Sequence, residues 1–228
     1  IIGGKDNPGD PAIVSSLAQI EGQEGQGLCT GTLIAPTVVL TAAHCVDPAV
    51  LGGPAKFTVI TDWNLADKDI PQATRLAVKS VDWDPQFDSN NLQGGHDVAV
   101  VILEQPSDIA PMPWNNAALP SELKGKNVRI VGYGLNDGVN QTGAGIKRTA
   151  ATKLSKFDDL LVTTGGFGQN RICNGDSGGP ILAILNGVET VIGVNSFGFA
   201  FCVGSGNSTR VDTYTAKIQS WVNAEARP

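Results

Sequence analysis

The segment 173–180 reads C-N-G-D-S-G-G-P and surrounds one serine, Ser177, with three glycines, a proline and a cysteine. By itself a Gly-rich turn is only a tight turn. A serine hydroxyl is too weak an acid to attack a carbonyl at neutral pH unless a base lies within hydrogen-bond reach. That base in turn needs a carboxylate to fix its tautomer and to stabilise the charge it acquires. The chain holds two histidines. His44 lies in T-A-A-H-C, directly after the apolar V-V-L and beside Cys45, whereas His96 precedes Asp97 in G-G-H-D-V-A-V-V-I-L. A lone histidine is more often a surface or satisfied core residue than a base, and the company of Ser177 and a carboxylate is what gives a histidine here a chemical reading. The turn must also aim backbone N–H groups at a developing oxyanion. Gly175 permits a conformation that a Cβ would hinder, and Gly178 and Gly179 would let a substrate backbone come close.

Such groups have to be held by a scaffold, and the composition says which kind. The 228 residues are 41% hydrophobic, enough to bury a large core in one or two lobes, and 28 glycines with 13 prolines punctuate short runs rich in Val, Ile and Thr. Strands are expected over 31–34, 38–42, 57–61, 75–83, 98–103, 127–133, 180–185 and 190–197. Their even spacing favours a sandwich or barrel over βαβ units. One helical period stands out, with Tyr214, Ile218, Trp221 and Val222 at i, i+4, i+7 and i+8 and Asp212 or Thr213 as N-cap. The Pro-rich stretch 106–120 reads as a connection between two halves of similar size. The glycine groupings at 132–138 and 166–168 do not fit a dinucleotide-binding turn followed by a helix.

Charge and cysteine content exclude further classes. A net charge of -6 without a Lys/Arg block argues against nucleic acid as a partner. No apolar run reaches the roughly 18 residues of a membrane span. The opening I-I-G-G lacks an initiator Met, a basic region and an apolar core, and so reads as a processed chain. Four cysteines, Cys29, Cys45, Cys173 and Cys202, lack C-x-x-C spacing, which favours two disulfides in an exported protein over a zinc site; the three pairings are equal at this point.

T-A-A-H-C, then D-V-A-V-V-I-L, then G-D-S-G-G-P, in the order His, Asp, Ser and with I-I-G-G at the amino end, resembles the chymotrypsin/trypsin family of serine peptidases over essentially the whole chain. The order differs from that of subtilisins and α/β-hydrolases. The resemblance implies an all-β fold of two packed antiparallel six-stranded barrels, residues 1–113 and 114–228, with the N-terminal residues inserted into the second barrel and a C-terminal helix closing it. It implies a secreted endopeptidase, usually monomeric, acting on protein or peptide substrates and met by protein inhibitors. His44 would be the general base, Asp97 its orienting carboxylate, Ser177 the nucleophile, and the N–H groups of Gly175 and Ser177 the oxyanion hole. Cys29 would pair with Cys45 and Cys173 with Cys202. Cleavage of a propeptide would free the amine of Ile1 to pair with Asp176. His96 would face away from Asp97, as neighbours in an extended strand do.

The same comparison puts Arg171 at the base of the specificity pocket, with Ile172, Ser196, Phe197, Gly198 and Gly206 as its surroundings. A Lys/Arg preference is thereby disfavoured. Arg171 either points inward and selects an acidic side chain, or snorkels outward and leaves an apolar pocket, or fills the pocket and blocks it. No cofactor is expected; calcium is the one candidate, at a loop carrying Asp62, Asp67 and Asp69. Asn140-Gln-Thr and Asn207-Ser-Thr are glycosylation sequons. Two rivals are weighed: a non-catalytic binding protein on the same fold, and an α/β-hydrolase esterase, whose G-x-S-x-G pattern is met literally but whose chain order and helices are missing.

Overall fold

A computed structural model of the chain describes residues 1–67, 69, 71 and 74–225. Six antiparallel strands, β2 (Ile13–Ile20), β3 (Gly27–Ala35), β4 (Val38–Thr41), β5 (Ala55–Ile60), β6 (Arg75–Trp83) and β7 (Ala99–Leu103), close into a barrel in the order β2-β3-β4-β7-β6-β5. Composition explains their places. The A-V-V-I-L of β7 and V-V-L-T of β4 are buried throughout, whereas β6 alternates half-buried with exposed positions along the outer wall.

The second barrel comprises β8 (Asn127–Gly132), β9 (Arg148–Phe157), β10 (Leu161–Gly165), β11 (Pro180–Leu185), β12 (Val188–Gly198) and β13 (Ser205–Arg210). The sheet order β9-β10-β13-β12-β11-β8 is closed by pairing of β8 with β9. A short N-terminal strand, β1 (Lys5–Asp6), adds to β9 and so ties the start of the chain to this barrel. Ile1 lies within the second barrel's apolar core, together with Ile130, Leu154, Val162, Ile181 and Ile192.

Two short α-helices complete the fold. In α1 (Pro48–Leu51), Asp47 caps the first turn by accepting from the Ala49 N–H, and Gly52 ends it in the left-handed conformation. The second helix, α2 (Thr215–Glu225), follows a 3₁₀ turn at Asp212–Tyr214. Its expected N-caps are engaged elsewhere: Asp212 binds Arg210, and the Thr213 hydroxyl donates to Asp159 O. Nor does the helix close the second barrel. Ile218 and Trp221 join an apolar cluster that runs from the first barrel to Val131, Leu182, Val191 and Val194 of the second, while the Trp221 indole N–H donates to Asp82 of β6 at 2.6 Å and Lys79 pairs with Glu225 at 3.2 Å. The apolar face of α2 thus returns the C-terminus across the other barrel, which fastens the two together.

All eight expected strands are present, several extended by one to four residues. β1, β2, β9, β10 and β13 were not foreseen. The sequence S-G-N-S-T-R of β13 contains no large apolar residue, yet it lies between β10 and β12, whose pairing buries it. No described helix is long and apolar enough to cross a membrane.

Candidate active site

The cleft is built where strand ends of the first barrel meet the 173–180 turn of the second. His44 belongs to a 3₁₀ turn (Ala43–Cys45) that leaves the end of β4, and the Cys29–Cys45 disulfide ties that turn to β3. Its ring Nδ1 lies 2.7 Å from Asp97 Oδ2, and its backbone N–H donates to Asp97 Oδ1 at 2.9 Å. Asp97 is fully buried, and its Oδ2 accepts a further, short bond from the Ser196 hydroxyl. Burial pushes the Asp97 carboxyl up, but the hydrogen bonds from His44 and Ser196 outweigh it and hold the group below the usual carboxylate value. The role of Ser196 here was not foreseen; the sequence placed it only on a pocket wall.

Ser177 and His44 line one cavity of about 240 Å³ between the barrels, with Gly175 and Asn174 beside them. Among the described residues the Ser177 hydroxyl makes no hydrogen bond, to His44 or to any other group. The Gly175 and Ser177 N–H groups likewise donate to no group of the described protein, so both remain open donors. Gly175 has φ +90°, and a Cβ there would lie 2.9 Å from Gly134 Cα.

Gly178 and Gly179 serve a purpose other than the expected one. A Cβ on Gly178 would fall 2.1 Å from Thr41 Oγ1 and 2.3 Å from Thr30 O, and one on Gly179 would fall 2.7 Å from Val131 O. These glycines let the protein's own strands, not a substrate, come close. Thr30 completes the join: its N–H donates to Ser177 O and its hydroxyl to Gly175 O, both at 2.8 Å. Nothing in the sequence around Thr30 signals this.

Asp176 is fully buried beneath the turn. Its Oδ2 lies 2.9 Å from the Ile1 amino group and accepts the Cys173 N–H at 2.8 Å, while Oδ1 accepts the Gly134 N–H at 2.8 Å. The Ile1 ammonium also donates to Leu135 O at 2.8 Å. All three donors are charge-assisted partners of one carboxylate, which satisfies a group that would otherwise be costly to bury.

A smaller cavity of about 70 Å³ opens beside Ser177, walled by Ile172, Ser196, Phe197 and Gly198. Ile172 packs on Gly206, where a Cβ would sit 2.5 Å from Ile172 Cγ1. Arg171 is not among its walls. The guanidinium turns outward, with Nε donating to Cys202 O and Nη1 to Gln169 O at 2.8 Å. The disulfide Cys173–Cys202 spans the cavity's rim. Of the three orientations considered for Arg171, the outward one is found.

His96 does lie apart from the His44 face of Asp97, for a different reason than strand alternation. β7 begins only at Ala99, and His96 takes φ +63°. Its ring is 3.0 Å from Asp84 Oδ2, and its N–H donates to the Tyr214 hydroxyl at 2.7 Å. In the candidate cation loop, Asp62 Oδ1 accepts the Asn64 N–H and Asp67 Oδ1 the Asp69 N–H, and each is thereby turned to its own backbone. Among the described residues, one trio of potential ligands gathers, Cys29, His44 and Cys45, and two of its members are joined as a disulfide.

The family model described as Trypsin matches residues 1–222. The chain belongs to the trypsin family. Among curated members, chymotrypsin-like elastase family member 1 of Felis catus is 29% identical over 247 residues, covering 98% of this chain and 88% of the relative. The same protein of Rattus norvegicus is 30% identical over 228 residues, covering 91% and 82%. Among solved structures, human heparin binding protein superposes with a TM-score of 0.75 at 24% identity, covering 98% of this chain and 97% of that one, a likeness of fold. For a trypsin-family chain the two disulfides and the two closed barrels described above are thus accompanied by a matching topology.

Proposed function

We propose that this trypsin-family chain is a secreted serine endopeptidase that hydrolyses peptide bonds through an acyl-enzyme on Ser177. The observation that carries the reading is the buried Asp97 carboxylate held 2.7 Å from His44 Nδ1, which directs the other ring nitrogen toward the cavity shared with Ser177. His44 takes the Ser177 proton as the hydroxyl attacks the scissile carbonyl, then passes it to the leaving amine. Water activated by His44 releases the acyl group. The open N–H groups of Gly175 and Ser177 receive the oxyanion, an interaction whose removal typically costs about 10²–10³ in rate. No step requires a cofactor.

The small cavity, with Ile172 on Gly206 and Arg171 turned away, favours a small apolar side chain before the scissile bond. Elastase names among the relatives agree with this preference. The two disulfides support an oxidising, extracellular setting. The Ile1–Asp176 pair supports activation by cleavage before Ile1, since an acylated nitrogen there would carry no charge. Substrates are proteins or peptides, protein inhibitors are fitting partners, and the chain acts as a monomer.

Cleavage of peptides that differ only at the residue before the scissile bond tests the reading, with Ser177→Ala as blank. Preference for Ala or Val, abolished in Ser177→Ala, is expected. Cleavage that persists in Ser177→Ala would overturn Ser177 as the nucleophile, and no cleavage by the wild type returns the chain to the non-catalytic alternative.

A further inference from the structure

Asn174 is exposed and lines both cavities beside Ser177. Among the described residues its side-chain amide makes no hydrogen bond, so it is free to turn onto its own backbone. The main chain around it is held instead. The Asn174 carbonyl accepts the Leu135 N–H at 2.9 Å, and the next carbonyl, that of Gly175, accepts the Thr30 hydroxyl at 2.8 Å. Between these two anchored carbonyls lies Gly175 N, the open donor described above. Asparagine is chemically labile, most of all before glycine, where no Cβ crowds attack by the next backbone nitrogen on the side-chain amide. A nitrogen engaged in a strand ladder is spoken for, and that of Gly175 is not. The chain has a second such pair, Asn186-Gly187, at the exposed tip of the β11–β12 hairpin, which lines neither cavity beside Ser177.

We infer that Asn174 is a self-modification site, at which Gly175 N closes onto the Asn174 side chain and shuts down the oxyanion hole. Gly175 N gives its proton to hydroxide and attacks Asn174 Cγ; the bond from Cγ to Nδ2 breaks, and the leaving nitrogen takes up a proton from water and departs as ammonia. The resulting cyclic imide leaves no hydrogen on Gly175 N, which removes one of the two oxyanion donors. Water then opens the ring at either carbonyl. Opening one way gives aspartate at 174, which restores the N–H but sets a carboxylate beside the developing oxyanion. Opening the other way gives an isoaspartyl link, which lengthens the backbone by a methylene and displaces the donor. The chemistry needs only water and no oxidant. The shutdown rests on the peptidase reading and adds to it a working lifetime set by the sequence of the turn.

The test holds wild type, Ser177→Ala and Asn174→Gln at mildly alkaline pH. Peptide mapping by mass spectrometry follows residues 174 and 186, and turnover of an acetylated Ala-Ala-Ala anilide follows activity, each protein against its own starting value. Ser177→Ala shows the chemistry without self-digestion. Imide, then aspartyl and isoaspartyl products at 174 are expected in wild type and Ser177→Ala, and faster as pH rises. Isoaspartyl wild type, separated by anion exchange on its added charge, should turn over at least about 10²-fold more slowly than the unmodified protein. Asn174→Gln, whose longer side chain closes a ring far more slowly, should keep its starting rate through the same incubation. An intact amide at 174 after residue 186 has converted would overturn the inference. So would an isoaspartyl protein as active as the unmodified one, or a loss of activity in Asn174→Gln as rapid as in the wild type. A wild type that cuts no anilide at the start would overturn the peptidase reading, and with it the shutdown, whatever the mapping at 174 shows.

Discussion

The Ile1 amino group and the Asp176 carboxylate meet at 2.9 Å with no exposure of either side chain, directly beneath the turn that presents Ser177. The same carboxylate fixes the Cys173 and Gly134 N–H groups. A single buried group therefore couples the chain's first residue to the conformation of Gly175 and Ser177. In Asp176→Asn the ammonium would be buried without its counter-charge, a change that typically costs about 3–5 kcal/mol. The expected outcome is a fall of at least about 10²-fold in kcat, as the two oxyanion donors lose their setting. Peptide turnover and urea unfolding of the same variant would read both effects.

Arg171 should be a bystander in substrate choice. Its guanidinium is held by Cys202 O and Gln169 O, away from the cavity. Arg171→Ala is expected to leave the preference for small apolar residues intact. Ile172→Ala, by contrast, removes a cavity wall and should shift preference toward Leu or Phe. Profiling both variants with one peptide series checks this, and acquisition of an Asp/Glu preference by neither is part of the expectation.

His96 bears on Asp97 through the backbone. A β-carbon at φ +63° is strained, and the residue stays there because Tyr214 and Asp84 hold it. His96→Ala keeps the strain and removes the Asp84 bond, so it should destabilise the fold by about 1–2 kcal/mol and lower kcat. His96→Gly relieves the strain and should unfold at higher denaturant than His96→Ala. Paired unfolding curves of the two variants decide the point.

Lys147 gives the fold a pH signature. Its ammonium is buried, donating to Asp10 O at 2.9 Å and Ile13 O at 3.1 Å. Burial pushes its pKa down from 10.5 to about 8, although the nearby Asp10 and Asp62 charges oppose the shift. Between these two values the unfolded lysine keeps its proton while the folded one has lost it. Stability must then rise with pH across that window, by up to about 3 kcal/mol. Lys147→Met lacks this slope. Urea unfolding of both proteins at the two ends of the window should show the wild type gaining on the variant as pH rises.

Much of this was written locally in the sequence. The residues that carry chemistry sit in short motifs whose neighbours are adjacent in the chain, and strands such as β4, β7 and β11 are dense in β-branched or aliphatic residues. What was not legible depends on distant partners. The burial of β13 comes from β10 and β12, and the direction of Arg171 comes from a carbonyl across a disulfide. The turn at His96 is fixed by Tyr214, 118 residues later. The glycines after Ser177 could be read as necessary, but only the approach of Thr30 and Thr41 shows what they make room for. Likewise, α2 was readable as a helix, while its docking on the first barrel required the Trp221 contact with Asp82.

The central claim is that Ser177 forms a covalent acyl intermediate with His44 as its base. Intact-mass measurement during rapid-quench turnover of an activated Ala ester tests it most directly, with Ser177→Ala and His44→Ala in parallel. A single acyl group on Ser177 that forms and decays in the wild type, is absent in Ser177→Ala and forms far more slowly in His44→Ala is the predicted result. Ester turnover with no adduct on Ser177, or an adduct that forms equally fast without His44, would contradict it.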